Sequence, residues 1–385
     1  MTTTLTPSTF GYDLDVLNSH HKNILLKSPD GKALVAVSPE WQGRVMTSSF
    51  NGMEGLSMGW ISHEHIKSKE LVPQMNPFGG EDRIWLGPEG GQFSIYFKPG
   101  VEFEFSNWQV PAEIDSEPFD IVEATETKAM FRKDMQLLNY SGITFNLLVE
   151  RDINLLDADA VKNNLGIDAG ELDFVAYESV NKITNTGEKP WTKESGALSI
   201  WILGMFQPSE TTNIVIPFKK GDISVLGEKV NDSYFGKISP DRLIVKEDIL
   251  FFKGDGKSRG KLGLSPKRAL PVMGAYNAET NVLTVVQYSL PENVTEYVNS
   301  MWELQDDPFS GDAANSYNDG PVEGGGQLGP FFELESSSPA AFLSPGKSLT
   351  HVHRTVHLSG DKNKLDTISK ELFGVSLEEI STAFE

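Results

Sequence analysis

Short runs in which apolar and polar residues alternate recur along most of this chain, at Ala33 to Val37, Gln92 to Phe97, Ile143 to Val149, Leu198 to Leu203, Ile214 to Phe218 and Val282 to Tyr288. A period of two places successive side chains on opposite faces of an extended backbone, so each run reads as a strand with one face to bury. The runs are bounded by Gly, Pro, Asn or Asp, and the chain holds 35 glycines and 21 prolines. Punctuation this dense specifies many short strands joined by turns rather than alternating βαβ units, so the expected fold is mainly β. Helical spacing is expected at the C-terminal end. There Asp361 to Phe373 sets Leu365, Ile368 and Leu372 on one side before Gly374, and Ser376 to Glu379 has the form of a capping box.

No Pro/Ser-rich linker and no clear repeat divides the 385 residues, so residues 1–385 read as one domain, with short helices over 361–385 packed on it. The polar segments Asp157 to Glu171 and Gln305 to Asp319 read as long loops. A formal net charge of -21, with no basic stripe to offset it, argues against a nucleic-acid partner. No stretch approaches the roughly 20 apolar residues of a membrane span, which argues against a membrane partner. With no cysteine, thiolate chemistry and disulfides are excluded. The start, MTTTLTPSTFGYDLDVL, lacks a basic then apolar leader. This favours a cytoplasmic location, with the periplasm left open should a leader have been removed. The oligomeric state is not legible.

Two stretches carry chemistry. Phe331 to Leu358, FFELESSSPAAFLSPGKSLTHVHRTVHL, puts Glu333 and Glu335 on one strand face and His351, His353, Thr355 and His357 on one face of a second strand. A hairpin-like return through Ser338-Pro339 and Pro345-Gly346 is expected to bring the two faces together. Carboxylates about 7 Å apart raise each other's pKa unless cations stand nearby. His351 and His353 are also spaced to chelate a divalent metal, with Glu333 or Glu335 completing the set, although no cofactor is required. His63 and His65 form a similar pair. The second stretch, GGEDRIWLGPEGG from Gly79 to Gly91, alternates Glu81, Arg83 and Trp85 onto one face. An indole plate beside charged hydrogen-bonding groups suits a sugar ring. Trp201 and Trp302 are further indoles to weigh between ligand and core, and Asp319 and Glu323 precede the ELES strand closely enough to stand at its rim.

FELES, followed by SP, a hydrophobic residue, PG and a closing alternating strand, resembles the C-terminal signature of the galactose mutarotase-like superfamily, which includes the aldose 1-epimerases. The central VNKITNTGEKPWTKESGALSIWILGMF and the early stretch Ser38 to Gly52 are similar to strand pairs of the same superfamily. The resemblance implies a large antiparallel β-sandwich, a supersandwich, that binds a sugar on a concave sheet. It makes Glu335 the match for the general base that removes the anomeric proton, and Arg83 a looser match for a substrate-binding arginine. The superfamily's acid histidine lies in the central strand region, yet this chain has no histidine between His65 and His351. His351 and His353 are therefore the candidate replacements, so the catalytic set is Glu335, His351 and His353, with Glu81, Arg83, Trp85, Glu333 and Asp319 as substrate-binding candidates.

The expected ligand is a small-molecule sugar or an oligosaccharide. One reading is a carbohydrate-active enzyme, an isomerase of the aldose 1-epimerase kind or a relative of it. The alternatives are a glycan-recognition protein of the same fold without chemistry, and a metal-dependent carbohydrate enzyme using His351 and His353.

Overall fold

The computed structural model describes residues 9–322 and 326–385, and Glu323 lies outside them. Three antiparallel sheets are built from the alternating runs. The largest has ten strands, in the order Leu243–Val245, Ile249–Lys253, Thr212–Pro217, Val272–Asn277, Val282–Tyr288, Ser348–Ser359, Asp173–Asn185, Thr144–Leu155, Lys128–Leu138 and Asp120–Ala124. Facing it is a sheet of five, Gly260–Leu264, Ala314–Asn318, Phe332–Ser337, Ser199–Phe206 and Arg83–Gly87. A third, of Ile24–Lys27, Leu34–Ser38 and Arg44–Ser49, extends the sandwich. This is the mainly β, antiparallel supersandwich expected from the sequence.

The strand Ser348–Ser359 shows how one sequence serves two layers. Val356 and Leu358 face outward and pack with Leu365, Ile368 and Phe373 of the helix Lys362–Phe373, which covers the back of the large sheet. The opposite face, with His351, His353, Thr355 and His357, is buried toward the small sheet. Asp361 caps that helix, and the Ser376–Glu379 capping box opens the next, Leu377–Ser381, as expected.

Several expectations are corrected. Helices are not confined to the C-terminus. Phe10–His20, with Thr9 as N-cap, buries Phe10, Leu14 and Leu17, and Ala158–Leu165 occupies part of the expected loop 157–171. The segment 305–319 ends in the strand Ala314–Asn318. Gln92 to Phe97 forms no strand, because Phe93 through Phe97 are buried in succession and the turn there is closed by bonds such as Ser94 Oγ to Glu89 O. His63 and His65 sit on a helix, His63–Ser68, where they face different partners, Asp13 and Asn76.

The main correction concerns the C-terminal motif. Phe332–Ser337 and Ser348–Ser359 make no hairpin, because they belong to different sheets. Ser336, on the face opposite Glu333 and Glu335, hydrogen-bonds both His351 Nε2 and His353 Nδ1 at 2.8 Å. Both imidazoles therefore lie in the layer between the sheets, where burial pushes His351 down to about 3 and His353 down to about 4. They are neutral spacers of the core, separated from Glu335 by the thickness of the small sheet. Glu333 cannot join them around a metal for the same reason. Among the described residues no group of His, Cys, Asp or Glu side chains is arranged to hold a metal ion.

Because the unfolded imidazoles titrate near 6.5 and the folded ones lower, the unfolded state binds more protons as pH falls below that value. Each histidine is thus expected to remove about 1.4 kcal/mol of stability per pH unit between about 6.5 and its folded value. Denaturant unfolding at a series of pH values should show this loss, and a His351→Gln/His353→Gln variant should show a shallower slope; an unchanged slope would contradict the assignment.

Candidate functional site

Register across the small sheet generates a patterned surface on its outer face. One row runs Lys261, Tyr317, Glu333 and Met205; the next runs Gly263, Asn315, Glu335, Leu203 and Arg83; a third runs Ser337, Trp201 and Trp85. Same-face residues of adjacent strands are near enough to touch directly or on the diagonal. Arg83 Nη2 reaches diagonally from the edge strand to donate to Glu333 Oε1 at 3.0 Å. From the opposite edge Lys261 Nζ crosses to donate to Glu335 Oε2, also at 3.0 Å, and Trp201 Nε1 donates to the same oxygen at 2.9 Å. The two ion pairs cross over the centre of the sheet.

Indoles frame the charges. The Arg83 guanidinium lies 4.3 Å from the centre of the Trp85 ring, and Lys261 Nζ lies 4.7 Å from that of Trp201. Trp85 and Trp201 meet edge to face at 5.7 Å. Beyond them Trp108 stacks on Trp302 at 5.8 Å and on Tyr96 at 6.2 Å. Together with Phe105, Phe235, Tyr317 and Phe331, the four indoles wall a cleft of about 130 Å³ whose charged and amide lining is Gln74, Arg83, Glu89, Arg259, Lys261 and Glu333.

Glu89 enters from the turn that follows Arg83–Gly87. Gly90 beside it is required by close approach, since a Cβ there would stand 2.3 Å from Met301 O. That contact docks the loop carrying Trp302 onto the turn carrying Glu89. Burial pushes the Glu89 carboxyl up to about 7, against the pull of Lys261 and with added repulsion from Glu335. Burial likewise drives Glu333 up, to about 8, opposed by Arg83 and reinforced by Glu335. Burial pulls the Lys261 ammonium down, but Glu335, Glu89 and Glu333 outweigh it and leave its pKa raised. Two carboxyl groups that exchange protons near neutrality therefore line one aromatic cleft.

The candidates named from sequence divide as follows. Arg83, Trp85, Glu333, Trp201 and Trp302 line the cleft. Glu335 shares their face but is fully buried under Lys261 and Trp201, so it acts on the cleft through them. Asp319 stands one contact behind the lining, accepting from the Tyr317 hydroxyl at 2.5 Å and from Gly329 N at 3.0 Å. Glu81 is not in the cleft. It precedes the strand proper and turns inward, accepting from Ser48, the Tyr177 hydroxyl and His357 Nε2. It ties together the large and three-stranded sheets. His351 and His353 are likewise elsewhere. Glu89, Trp108, Arg259 and Lys261 were missed. Arg259 precedes the strand Gly260–Leu264, where parity does not place it, and a lysine in a glycine-rich strand gives no sign of its carboxylate partner.

Four buried polar atoms at this surface have no hydrogen-bond partner among the described residues: Glu335 Oε1, Arg83 Nε, Trp85 Nε1 and Trp108 Nε1. Buried polar groups are ordinarily paired, and leaving one unpaired costs about 1–3 kcal/mol. Four such atoms on one aromatic face leave hydrogen-bonding capacity there that other groups of the described residues do not take up. A larger groove of about 630 Å³ beside Lys193, Glu296 and Asp307 is framed by a matched surface ion pair, Lys193 with Glu296.

No curated protein matches this sequence. Residues 8–384 match a family described as a family of unknown function, DUF6786. Among solved structures, the Slr1438 protein from Synechocystis is similar at 13% identity with a TM-score of 0.52, over 94% of this chain and 100% of that one, which shows a shared fold. A galactose mutarotase-like protein from Lactobacillus casei is 10% identical with a TM-score of 0.49, over 88% of this chain and 100% of its own. A putative aldose 1-epimerase from Escherichia coli K12 is 11% identical with a TM-score of 0.48, over 87% and 98%.

Removing Arg83 tests the crossed pairs. Glu333 titrates at a raised pKa, so the stability it offers as a neutral acid is present at low pH and lost as pH rises through about 8. Without the guanidinium that loss deepens. Arg83→Met is expected to cost about 1.4 kcal/mol more at pH 9 than at pH 6, and Arg83→Met/Glu333→Leu should remove that difference, read by denaturant unfolding. A pH-independent cost would contradict the pairing.

Proposed function

The chain belongs to the family of unknown function DUF6786, and from the cleft this member carries we propose that it is a carbohydrate-active protein that interconverts the anomers of a sugar. The observation that carries the reading is the convergence of Glu89 and Glu333, two carboxyl groups titrating at about 7 and about 8, on a cleft walled by Trp85, Trp108, Trp201 and Trp302. Indole faces suit the C–H faces of a sugar ring, and the unpartnered donors and acceptor suit its hydroxyls. The resemblance of FELES to the mutarotase-like signature supports the same substrate class.

The reaction needs one proton acceptor and one donor. Glu89, the lower of the two, takes the proton from the anomeric hydroxyl while Glu333 gives its proton to the ring oxygen. The C1–O5 bond breaks as the carbonyl forms. Rotation about C1–C2 and reclosure on the other face return both protons. Arg83 beside Glu333 steadies the carboxylate left after donation. In this reading Glu335 is a positioning residue that holds Lys261 and Trp201 in place, which revises the base role implied by the resemblance. The protein needs no metal for these steps.

A second reading is glycan recognition without turnover. It is favoured by the ion pairing of both strand carboxylates, which ties them to cations in the resting state.

Anomer exchange measured by NMR or polarimetry tests the first reading. The rate should be greatest between about pH 7 and 8, falling on the acid side as Glu89 is protonated and on the alkaline side as Glu333 is ionised. Glu333→Gln and Glu89→Gln should each lower it about 10²- to 10⁴-fold, and Glu335→Gln by a smaller factor. Exchange no faster than the spontaneous rate for every sugar bound would leave the recognition reading.

A further inference from the structure

The cations of the cleft are not equally matched. Arg83 is paired with Glu333 and Lys261 with Glu335. Arg259, just before the strand Gly260–Leu264, lines the cleft with Lys261 and forms no ion pair or side-chain hydrogen bond with the described residues. Its guanidinium lies 3.9 Å from the centre of the Phe235 ring, at the mouth of the cleft. Stacking on an aromatic face fixes the plane of a guanidinium while leaving its N–H edge open. The chain as a whole carries a formal charge of -21, so a solvent-facing cation at this place is not part of a general basic surface. Glu333 and Glu335 already face other cations, and Glu89 and Asp319, which feel the Arg259 charge, make no ion pair or hydrogen bond with it among the described residues.

We propose that the cleft takes an acidic sugar, a uronic acid unit whose carboxylate is received by the open edge of Arg259 while its ring lies against the aromatic wall of the cleft and its anomeric end reaches Glu89 and Glu333. This rests on the reading of the cleft as a sugar site and names the class of sugar. A planar carboxylate matches the two parallel N–H groups of a guanidinium. Glu333, held above neutrality, does not repel such an anion as an ordinary carboxylate would. The exposed rings of Phe105 and Phe235 at the rim leave room for a further unit of a glycan beyond the mouth.

Isothermal titration with matched pairs, glucuronate against glucose and galacturonate against galactose, tests this, with glucose 6-phosphate as a further arm. At low ionic strength at least one uronate should bind on the order of tenfold tighter than its neutral partner, the worth of one charge-assisted hydrogen bond. Added salt should shrink the ratio. Arg259→Met should bring it to within about twofold, with the fold intact by circular dichroism. Neutral sugars binding as well as uronates would overturn the proposal and leave the sugar site standing. Glucose 6-phosphate binding as tightly as the best uronate would overturn the carboxylate assignment. Binding of none of these sugars would overturn the sugar site and this proposal together.

Discussion

Charge taken out of water must find charge of the opposite sign or be given up, and on the outer face of the small sheet that requirement organises almost everything else. Arg83 and Lys261 start from the two edge strands and reach Glu333 and Glu335 on the central one. With side-chain exposures of 3% and 7% for the first pair and 11% and 0% for the second, neither is a solvated surface contact. Breaking such a pair by removing one partner costs far more than the pair contributes over an apolar replacement. The pairs therefore specify this arrangement of the five strands more than they add to its stability. They also set where the indoles lie, because each cation rests on a tryptophan that borders the cleft.

The opposite face of the same sheet is governed by neutrality. Ser336 hydrogen-bonds one nitrogen of each of two imidazoles, and burial keeps both rings uncharged. Nearby, Glu81 collects donors from Ser48, Tyr177 and His357, while Arg151 donates to Asp82 Oδ1 at 2.6 Å and to Gly43 O at 3.1 Å. These contacts hold the three sheets in one relation. The rigid polar core behind the sheet thus backs a pre-set polar cleft in front of it, as an accurate binding site requires.

What could be read from the sequence followed from the period of two. That alternation placed Glu333 with Glu335 and Arg83 with Trp85 correctly, because within a strand the face is fixed by parity. It could not say which sheet a strand joins. His351 and His353 were grouped with the carboxylates because they are near in sequence, yet the connecting residues carry the chain from one layer of the sandwich to the other. Glu81 has the parity of Arg83 but lies before the strand begins, after Gly79 and Gly80 at φ 95° and 117°, where parity no longer holds. The helix Phe10–His20 was legible, since Phe10, Leu14 and Leu17 are spaced i, i+4 and i+7, but that segment was read for a leader instead. Glu89 left no signal of its kind: a carboxylate in a Gly-Pro-Glu-Gly-Gly turn reads as solvated until Met301 and Trp302 are seen to close over it.

The account's central claim is that the crossed ion pairs present Glu333 and Glu89 to a sugar held on the tryptophans. A crystal structure of the protein soaked with neutral and acidic monosaccharides tests it most directly. The account predicts a sugar ring against the aromatic wall of the cleft with one oxygen within hydrogen-bond distance of Glu333 and another of Glu89. A sugar bound in another groove, or one seated here with both carboxyls turned away from it, would contradict it.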